Sequence, residues 1–311
     1  MPLSRYTRFG IGGPADIFVE TDEEEAFIAA MEIARSSGLE MVVIGGGTNL
    51  IVADAGFRGI VLRFSGRRLM AAGSRVVSGA GAVLQDLVDF AIGHGLQGLE
   101  TLAGIPGWVG AAVYGNAGAY GHSLSERVHK VRFLDGAEAR MFSNEECRFR
   151  YRDSIFKVRK EWIILSVELN LEAADGALLR RTADDILKIR NEKFPPTMKC
   201  AGSIFKNFLL AELPGEVAAR VPAAAVREGK VPAAYFLEQA GAKGMARGDI
   251  HVAGYHANLI YNGGAGTARE LCELIDELKG RVAQRFGIRA EEEVQYVGFS
   301  TKESASVADD P

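Results

Sequence analysis

The chain has 311 residues, 48% hydrophobic and 24% charged, and its 36 Lys+Arg against 40 Asp+Glu leave a net charge of −4. That balance excludes a protein organised mainly around a nucleic-acid backbone, and the length suits one large domain or two ordinary ones, two being the expectation. Glycine is the outlier, with 37 residues against a usual share of about 7%: 22 before residue 122, two from 122 to 200 and 13 after, with no G-x-y period.

In chain order, the first thirteen residues carry no apolar leader, and Cys147, Cys200 and Cys272 lie far apart without a C-x-x-C. Reduced thiols in a cytoplasmic protein are the expectation. A helix is predicted over 22–37, capped by Thr21 or Asp22, with Phe27, Ala30, Met31 and Ala34 on one apolar face. A buried strand over 41–44 then runs into Gly45, Gly46, Gly47, Thr48, Asn49 and Leu50, followed by short strands at Leu50–Val52 and 60–62. Leu84, Leu87, Val88 and Ala91 mark a second helix. Residues 101–125 are uncharged, but six glycines with Pro106 and Asn116 make them too weakly apolar to span a membrane. Strands are predicted over 128–134 and 162–171, and a helix over 183–190 that Pro195 and Pro196 end. The last strong element is a helix over 267–286, with a capping box of Thr267 and Glu270 and Gly287 as its stop, before a strand over 294–297.

Several segments carry chemistry. Gly45 to Leu50 lacks the third glycine and following helix of a dinucleotide fingerprint, so alone it reads equally as a phosphate cradle or as a tight turn without ligand. Gly104, Gly107 and Gly110, then Gly115, Gly118 and Gly121, repeat glycine every third residue, a texture suited to backbone lying close to something flat or anionic. Residues 148–160 hold six cations, read alone as a solvated edge strand, with Asp153 beside Arg152 suggesting an oriented guanidinium. Ser203 follows Gly202 with no general base evident nearby, Glu293 opens an apolar strand, and the five histidines lack metal-ligand spacing, so no metal is expected.

Taken in order, these segments resemble the UDP-N-acetylenolpyruvoylglucosamine reductase (MurB) family of flavoenzymes. The matching residues are Thr7, Phe9 and Ile11-Gly12-Gly13-Pro14-Ala15; Gly45 to Leu50 with Val52, Gly56, Phe57 and Gly59; the two glycine blocks; Tyr151-Arg152-Asp153-Ser154 with Phe156; Ala201-Gly202-Ser203 with Phe205-Lys206-Asn207; Ala240-Gly241 with Lys243-Gly244; His256-Ala257-Asn258; and Glu293-Val294 before Gly298. The resemblance implies an α+β fold with an FAD-binding domain of the vanillyl-alcohol-oxidase type over 1–190, split into two subdomains near 65. A substrate domain would follow over 191–300, then a disordered tail over 301–311. It implies non-covalent FAD held by Gly45, Gly46, Gly47, Thr48, Asn49, Leu50, Gly104, Ile105, Pro106, Gly107, Gly110, Asn116, Ala117, Gly118 and Gly121, with NADPH as reductant. The substrate would be UDP-N-acetylglucosamine enolpyruvate and the protein a monomer.

In that family chemistry a hydride from the flavin reaches C3 of the enolpyruvyl group, and charge accumulates on the carboxylate as an enediolate. By motif position Arg152 and Glu293 flank that carboxylate, Glu293 either protonated or hydrogen-bonding to it, and Ser203 delivers the proton to C2. Tyr151, Lys193, Asn207 and His256 match substrate contacts. The stretch between Phe156 and Lys193 is too short for the loop whose tyrosine closes over substrate in one branch of the family, and residues 208–232 form an insertion expected at the mouth of the substrate site. Phe208, Trp108, Ala111 and Gly115 stand where other residues are usual. The competing readings are a small-alcohol flavin oxidase on the same scaffold and a non-catalytic flavin- or nucleotide-sugar-binding module.

Overall fold

The computed structural model describes residues 1–299; the tail expected over 301–311 lies outside the described residues. The fold is α+β, and the chain divides into two compact units. One comprises Asp16–Gly47 and Gly59–Pro196, and the other comprises Met1–Ala15, Thr48–Arg58 and the described residues from Thr197 onward.

The first unit contains a three-stranded sheet ordered Ala15–Thr21, Phe57–Phe64, Met41–Val43, in which Met41 to Val43 run parallel to Ile60 to Leu62. Helix Glu24–Ser36 buries Phe27, Met31 and Ala34. It starts two residues later than the sequence suggests, because the Thr21 hydroxyl accepts the Glu23 N–H instead of capping the first turn. The strand before the glycine loop is half-buried rather than buried.

A five-stranded antiparallel sheet of the same unit runs Glu138–Ser143, Val128–Asp135, Ile163–Asn170, Arg75–Gly79, Leu69–Ala72. Leu165, Val167 and Leu169 recur at the two-residue period of a strand and are almost fully buried, each worth about 1.5–3 kcal/mol of transfer free energy. They share one core with Leu84, Leu87, Val88 and Ala91 from helix Leu84–Gly93. Helix Gly176–Lys193 begins seven residues before the predicted start, since the Asp175 carboxylate accepts from Ala177 and Leu178. Residues 148–160 are not an edge strand. They form a tight turn closed by reciprocal Arg150 and Asp153 hydrogen bonds, then the short helix Ile155–Val158. Phe156 holds this helix down, packing edge-on against Phe133 at 5.3 Å within a cluster that includes Phe142 and Trp162.

The second unit contains a four-stranded antiparallel sheet ordered Lys199–Ser203, Leu259–Asn262, Ile250–Val252, Ala246–Arg247. The final strand, Gln295–Val297, lies parallel to Leu50–Val52. Residues 208–232 close on themselves through antiparallel pairing of Phe208–Leu209 with Lys230–Val231, with Val217 and Val231 in the core.

Helix Ala268–Phe286 runs as its sequence predicts: Thr267 and Glu270 form the capping box, Leu271, Leu274, Ile275, Leu278 and Val282 are buried, and Gly287 ends it with φ 65°. A further partner is supplied from a distant segment. The Asp54 carboxylate accepts from the Ala268 and Arg269 amides at 2.8 and 3.0 Å, satisfying two donors that the helix itself cannot. Asp54→Ala is therefore expected to lower stability by about 1–2 kcal/mol, with Asp54→Asn losing less. Urea unfolding of both variants checks this, and an Asp54→Ala curve superimposing on wild type would remove Asp54 from the capping role.

Candidate active site and flavin-binding loops

In the first unit, Ile44 donates to Leu62 O and the ladder ends there. The amides of the next three residues, Gly45, Gly46 and Gly47, donate to no protein acceptor among the described residues. The loop is nevertheless fixed from behind. Arg63, almost fully buried, donates from Nε to Gly45 O at 3.1 Å and from Nη1 to Glu20 at 2.9 Å, and its guanidinium lies 4.3 Å from the Trp108 ring centroid. Gly46 packs on that indole so closely that a Cβ would stand 3.0 Å from Trp108 Cδ1. Open amides on a braced glycine loop are the donor set that a pyrophosphate requires, so these residues fit an FAD cradle.

The first glycine block is stitched to residues 80–85. Leu84 donates to Gly107 O, Val109 to Ala82 O and Gly110 to Ala80 O, while Gly104 donates to the Gln85 side chain at 2.8 Å. Ile105 donates to Leu102 O, and Pro106 lies in the turn between. In the second block Asn116, buried and at φ 43°, receives the Ser125 N–H and donates to Arg150 O at 2.9 Å. Ala117 donates to Ala112 O, Gly118 pairs with Ser123, and Gly121 closes that hairpin.

Asn116 thus reaches the turn that carries Arg152. Arg152 is half-buried, with its backbone in the left-handed region at φ 54°, a conformation costing on the order of 1 kcal/mol for a residue with a Cβ. Lys157 Nζ donates to its carbonyl at 2.7 Å and Ser154 Oγ to Tyr114 O at 2.7 Å, and these bonds hold the turn in place. The guanidinium donates to Gly118 O at 2.8 Å and lies 5.3 Å from the Tyr151 ring centroid. Burial, and secondarily the Asp153 charge, raises the Tyr114 phenol above its ordinary pKa, so it stays neutral beneath this cationic turn. Lys193, exposed at the end of helix Gly176–Lys193, places its ammonium 5.0 Å from the Phe194 ring. Burial pushes the Cys147 thiol up to about 12, which leaves it unreactive.

In the second unit, Thr48–Leu50 leads into the strand paired with Gln295–Val297, and Asn49 holds both sides of Val294: its Nδ2 donates to Glu293 O and its carbonyl accepts from Gln295, each at 2.9 Å. Ser203 ends strand Lys199–Ser203, where a bulge separates its pairing with Leu259 from that of Cys200. Gly202 turns the chain there at φ 78°, a conformation that a side chain would strain.

Beyond Ser203 the backbone pairs antiparallel with 291–293. Glu293 donates to Ile204 O at 2.7 Å, Phe205 bridges to Glu292, and Lys206 donates to Glu291 O at 2.9 Å. This register sets Glu293 opposite Ile204, the residue that follows Ser203. Asn258 secures the other side, its Oδ1 accepting Phe205 N–H at 2.9 Å and its Nδ2 donating to Phe205 O at 2.8 Å, with the whole side chain buried. His256 occupies the turn just before, its carbonyl accepting from Leu259, the residue opposite Ser203. Asn207 accepts the Ala233 N–H at 3.2 Å at the start of helix Ala233–Gln239.

Ser203, Glu293, Asn207 and His256 thus belong to one unit, and Arg152, Tyr151 and Lys193 to the other. Sequence reasoning missed Asn258 as an organiser although it stands in the His-Ala-Asn motif; the signal was an amide inside an apolar run, a side chain that must find partners when buried. Arg63 was missed because its backbone partner, Gly45 O, lies eighteen residues away, and Lys157 because it bonds a nearby carbonyl, Arg152 O, which no residue type announces. Among the described residues no three His, Cys, Asp or Glu side chains are grouped to hold a metal, and no helix is long and apolar enough to cross a membrane.

Residues 15–142 match an FAD-binding domain, and residues 194–297 match the C-terminal domain of UDP-N-acetylenolpyruvoylglucosamine reductase. The chain is 70% identical to a UDP-N-acetylenolpyruvoylglucosamine reductase of Solibacter usitatus over 96% of its length and 95% of that protein. It is 36% identical to that of Heliobacterium modesticaldum, covering 96% of this chain and 90% of that one. The crystal structure of the Thermus caldophilus enzyme superimposes with a TM-score of 0.73 at 29% identity, covering 96% of this chain and 97% of that one. A likeness spanning nearly the whole length of each relative, with both domains matched, makes this chain a member of the UDP-N-acetylenolpyruvoylglucosamine reductase (MurB) family.

Proposed function

We propose that the chain reduces the enolpyruvyl double bond of UDP-N-acetylglucosamine enolpyruvate to give UDP-N-acetylmuramate, a peptidoglycan precursor, at the expense of NADPH. The observation that carries this reading is the pairing of 204–206 with 291–293, which brings the backbone of Glu293 to Ile204, the residue after Ser203, while Asn258 holds Phe205 by both its N–H and its carbonyl. Bound FAD supplies the hydride chemistry that no side chain provides. Gly45, Gly46 and Gly47 are suited to its pyrophosphate through their open amides, and the braced blocks at 104–110 and 116–121 to its flat surface.

The protein's own task is then to manage charge and a proton. Hydride addition to the enolpyruvyl group places negative charge on the substrate carboxylate, and Arg152 is assigned to stabilise it; a guanidinium pre-aimed by Lys157 and Gly118 needs no reorganisation as that charge appears. Glu293 is assigned to hydrogen-bond the same carboxylate. Ser203 is assigned as the proton donor to C2. A serine hydroxyl is a weak acid, but an enediolate is a strong enough base to take its proton. Tyr151, Lys193, Asn207 and His256 are assigned to hold the nucleotide-sugar.

The direct test is stopped-flow mixing of NADPH-reduced protein with UDP-N-acetylglucosamine enolpyruvate under anaerobic conditions, in which rapid flavin reoxidation is expected and its absence would sink the proposal. Ser203→Ala should leave flavin reduction by NADPH unchanged while slowing reoxidation by substrate about 10²-fold or more; equal loss in both half-reactions would make Ser203 structural. Gly46→Ala should raise the FAD dissociation constant roughly tenfold, because Trp108 must move to admit the new methyl group. Adding Trp108→Ala should recover most of that loss. Fluorescence titration of the apoprotein with FAD reads both, and unaltered affinity in Gly46→Ala would detach this loop from the cofactor.

A further inference from the structure

Among the described residues five besides the glycines have a positive φ, and two of these, Asn116 at 43° and Arg152 at 54°, stand on segments bonded to each other. Asparagine tolerates that region, whereas arginine does not favour it. Arg152 is the third residue of the tight turn 150–153, a place usually taken by glycine or asparagine when φ is positive. A conformation of that kind persists only where the surroundings over-determine it. Ser154 and Lys157 hold the turn from its far end.

The near end depends on Asn116. The resemblance counts this residue among those that hold FAD, but its side chain is committed elsewhere. It is 5% exposed, so it has almost no surface to lay against a cofactor. Its Oδ1 accepts the Ser125 N–H at 3.1 Å and its Nδ2 donates to Arg150 O at 2.9 Å. An N–H can only donate and a carbonyl can only accept, so an amide serves both ends and does so in one orientation. Ser125 is a fixed post: its carbonyl accepts from Asn144 Nδ2 at 2.7 Å, and the same nitrogen donates to Val128 O at the start of strand Val128–Asp135. Arg150 O also receives the Asp153 N–H that closes the arginine turn. Asn116 therefore relays the position of the five-stranded sheet to the first residue of the turn, and Arg152 returns the contact two residues on, donating from Nη2 to Gly118 O at 2.8 Å. One tie between two segments leaves a hinge. Two ties, spaced two residues apart on each segment, fix the rotation as well as the separation.

We propose that Asn116 is a positioning residue for Arg152: by bonding Arg150 O it holds the turn in which Arg152 is strained and so aims the guanidinium at the substrate carboxylate, while its own side chain does not touch FAD. This rests on the assignment of Arg152 given above. The glycine block 116–121 then has two uses, its outward backbone facing the flavin and its buried asparagine facing the arginine turn.

The test uses the full chain with Asn116→Asp at about pH 8, where the introduced carboxylate stays largely ionised even when burial raises its pKa. This variant keeps the acceptor for Ser125 and sets a second acceptor against Arg150 O, so it severs only the tie to the turn. Three quantities are read: the FAD dissociation constant, the rate of reoxidation by UDP-N-acetylglucosamine enolpyruvate with FAD saturating, and hydrogen exchange at the Asp153 amide. The FAD constant should change less than about threefold. Reoxidation should slow about tenfold or more, because small misplacements of an oriented group cost rate, and Asp153 exchange should speed about tenfold. In an Arg152→Ala background the same substitution should cost less than about a further twofold in reoxidation, since its effect runs through Arg152. Asn116→Gly, which suits the positive φ and removes both bonds, should show the same two defects and decides the matter if Asn116→Asp does not fold. Wild-type reoxidation or wild-type Asp153 exchange in the variant would overturn the proposal. An FAD constant raised by as much as reoxidation falls would make Asn116 a cofactor contact instead, and a full additional loss in the Arg152→Ala background would show that it acts through another group; either result also overturns the proposal. If wild type itself is not reoxidised by substrate, the enzymatic reading fails, while the exchange comparison still decides whether Asn116 holds the turn.

Discussion

Three backbone residues, 204–206, run antiparallel to 291–293, and most of the second unit is arranged around keeping them paired. Asn258 fills the edge of this pairing by giving Phe205 both a donor and an acceptor, which is what another strand would have supplied. From the far side Asn49 grips Glu293 O and accepts from Gln295, and that grip depends on Leu50–Val52 lying parallel to Gln295–Val297. Two residues further along the same segment, Asp54 caps helix Ala268–Phe286, whose buried stripe then forms the floor of the unit. Short, irregular pairing of this kind is weak alone. It persists here because side-chain amides and a capped helix hold each partner independently.

The first unit solves a different problem, which is to keep glycine-rich backbone ordered without side chains of its own. Glycine carries the largest conformational entropy to be lost on folding. Arg63 offsets this by bonding to Gly45 O while its guanidinium lies on Trp108, so one buried cation organises two loops that are distant in sequence. Phe156 does similar work for the arginine turn: its burial among Phe133, Phe142 and Trp162 anchors helix Ile155–Val158, from which Lys157 reaches back to the strained Arg152. In both cases the groups that order the loop come from the packed layer behind it.

Much of this was legible in the sequence wherever the determinant is local. Helix Ala268–Phe286 could be read from its capping box, its apolar period and Gly287, because each of these acts within a turn or two of the helix. Helix Gly176–Lys193 was foreshortened in the sequence reading, since it opens on a glycine and its start depends on the Asp175 carboxylate. The cation-rich stretch at 148–160 misled by composition: alternating basic and aromatic residues mimic an edge strand, whereas Phe156 points into a core formed by strands that composition cannot place nearby. Least legible was the association of residues 1–15 and 48–58 with the C-terminal part of the chain. It depends on contacts such as Asn262 with Phe9 O and Asp54 with the helix start, whose partners lie more than two hundred residues apart.

The buried polar side chains show the common logic of both units. Among the described residues they are Arg63, Ser78, Asn116, Ser154, Asn258 and Asn262. Every one bonds to main chain: Arg63 to Gly45, Ser78 to Gly79, Asn116 to Arg150 and Ser125, Ser154 to Tyr114, Asn258 to Phe205, and Asn262 to Phe9, Gly264 and Gly266. A buried amide or hydroxyl without a partner would cost about 1–3 kcal/mol, so each such bond is enforced as strongly as it is specific. Loops rich in glycine cannot be held by their own packing, and apolar contacts alone would let them slide. Polar anchors set into an otherwise apolar interior confine that backbone to one conformation while leaving its outward face, including the amides of Gly45 to Gly47, available for a ligand.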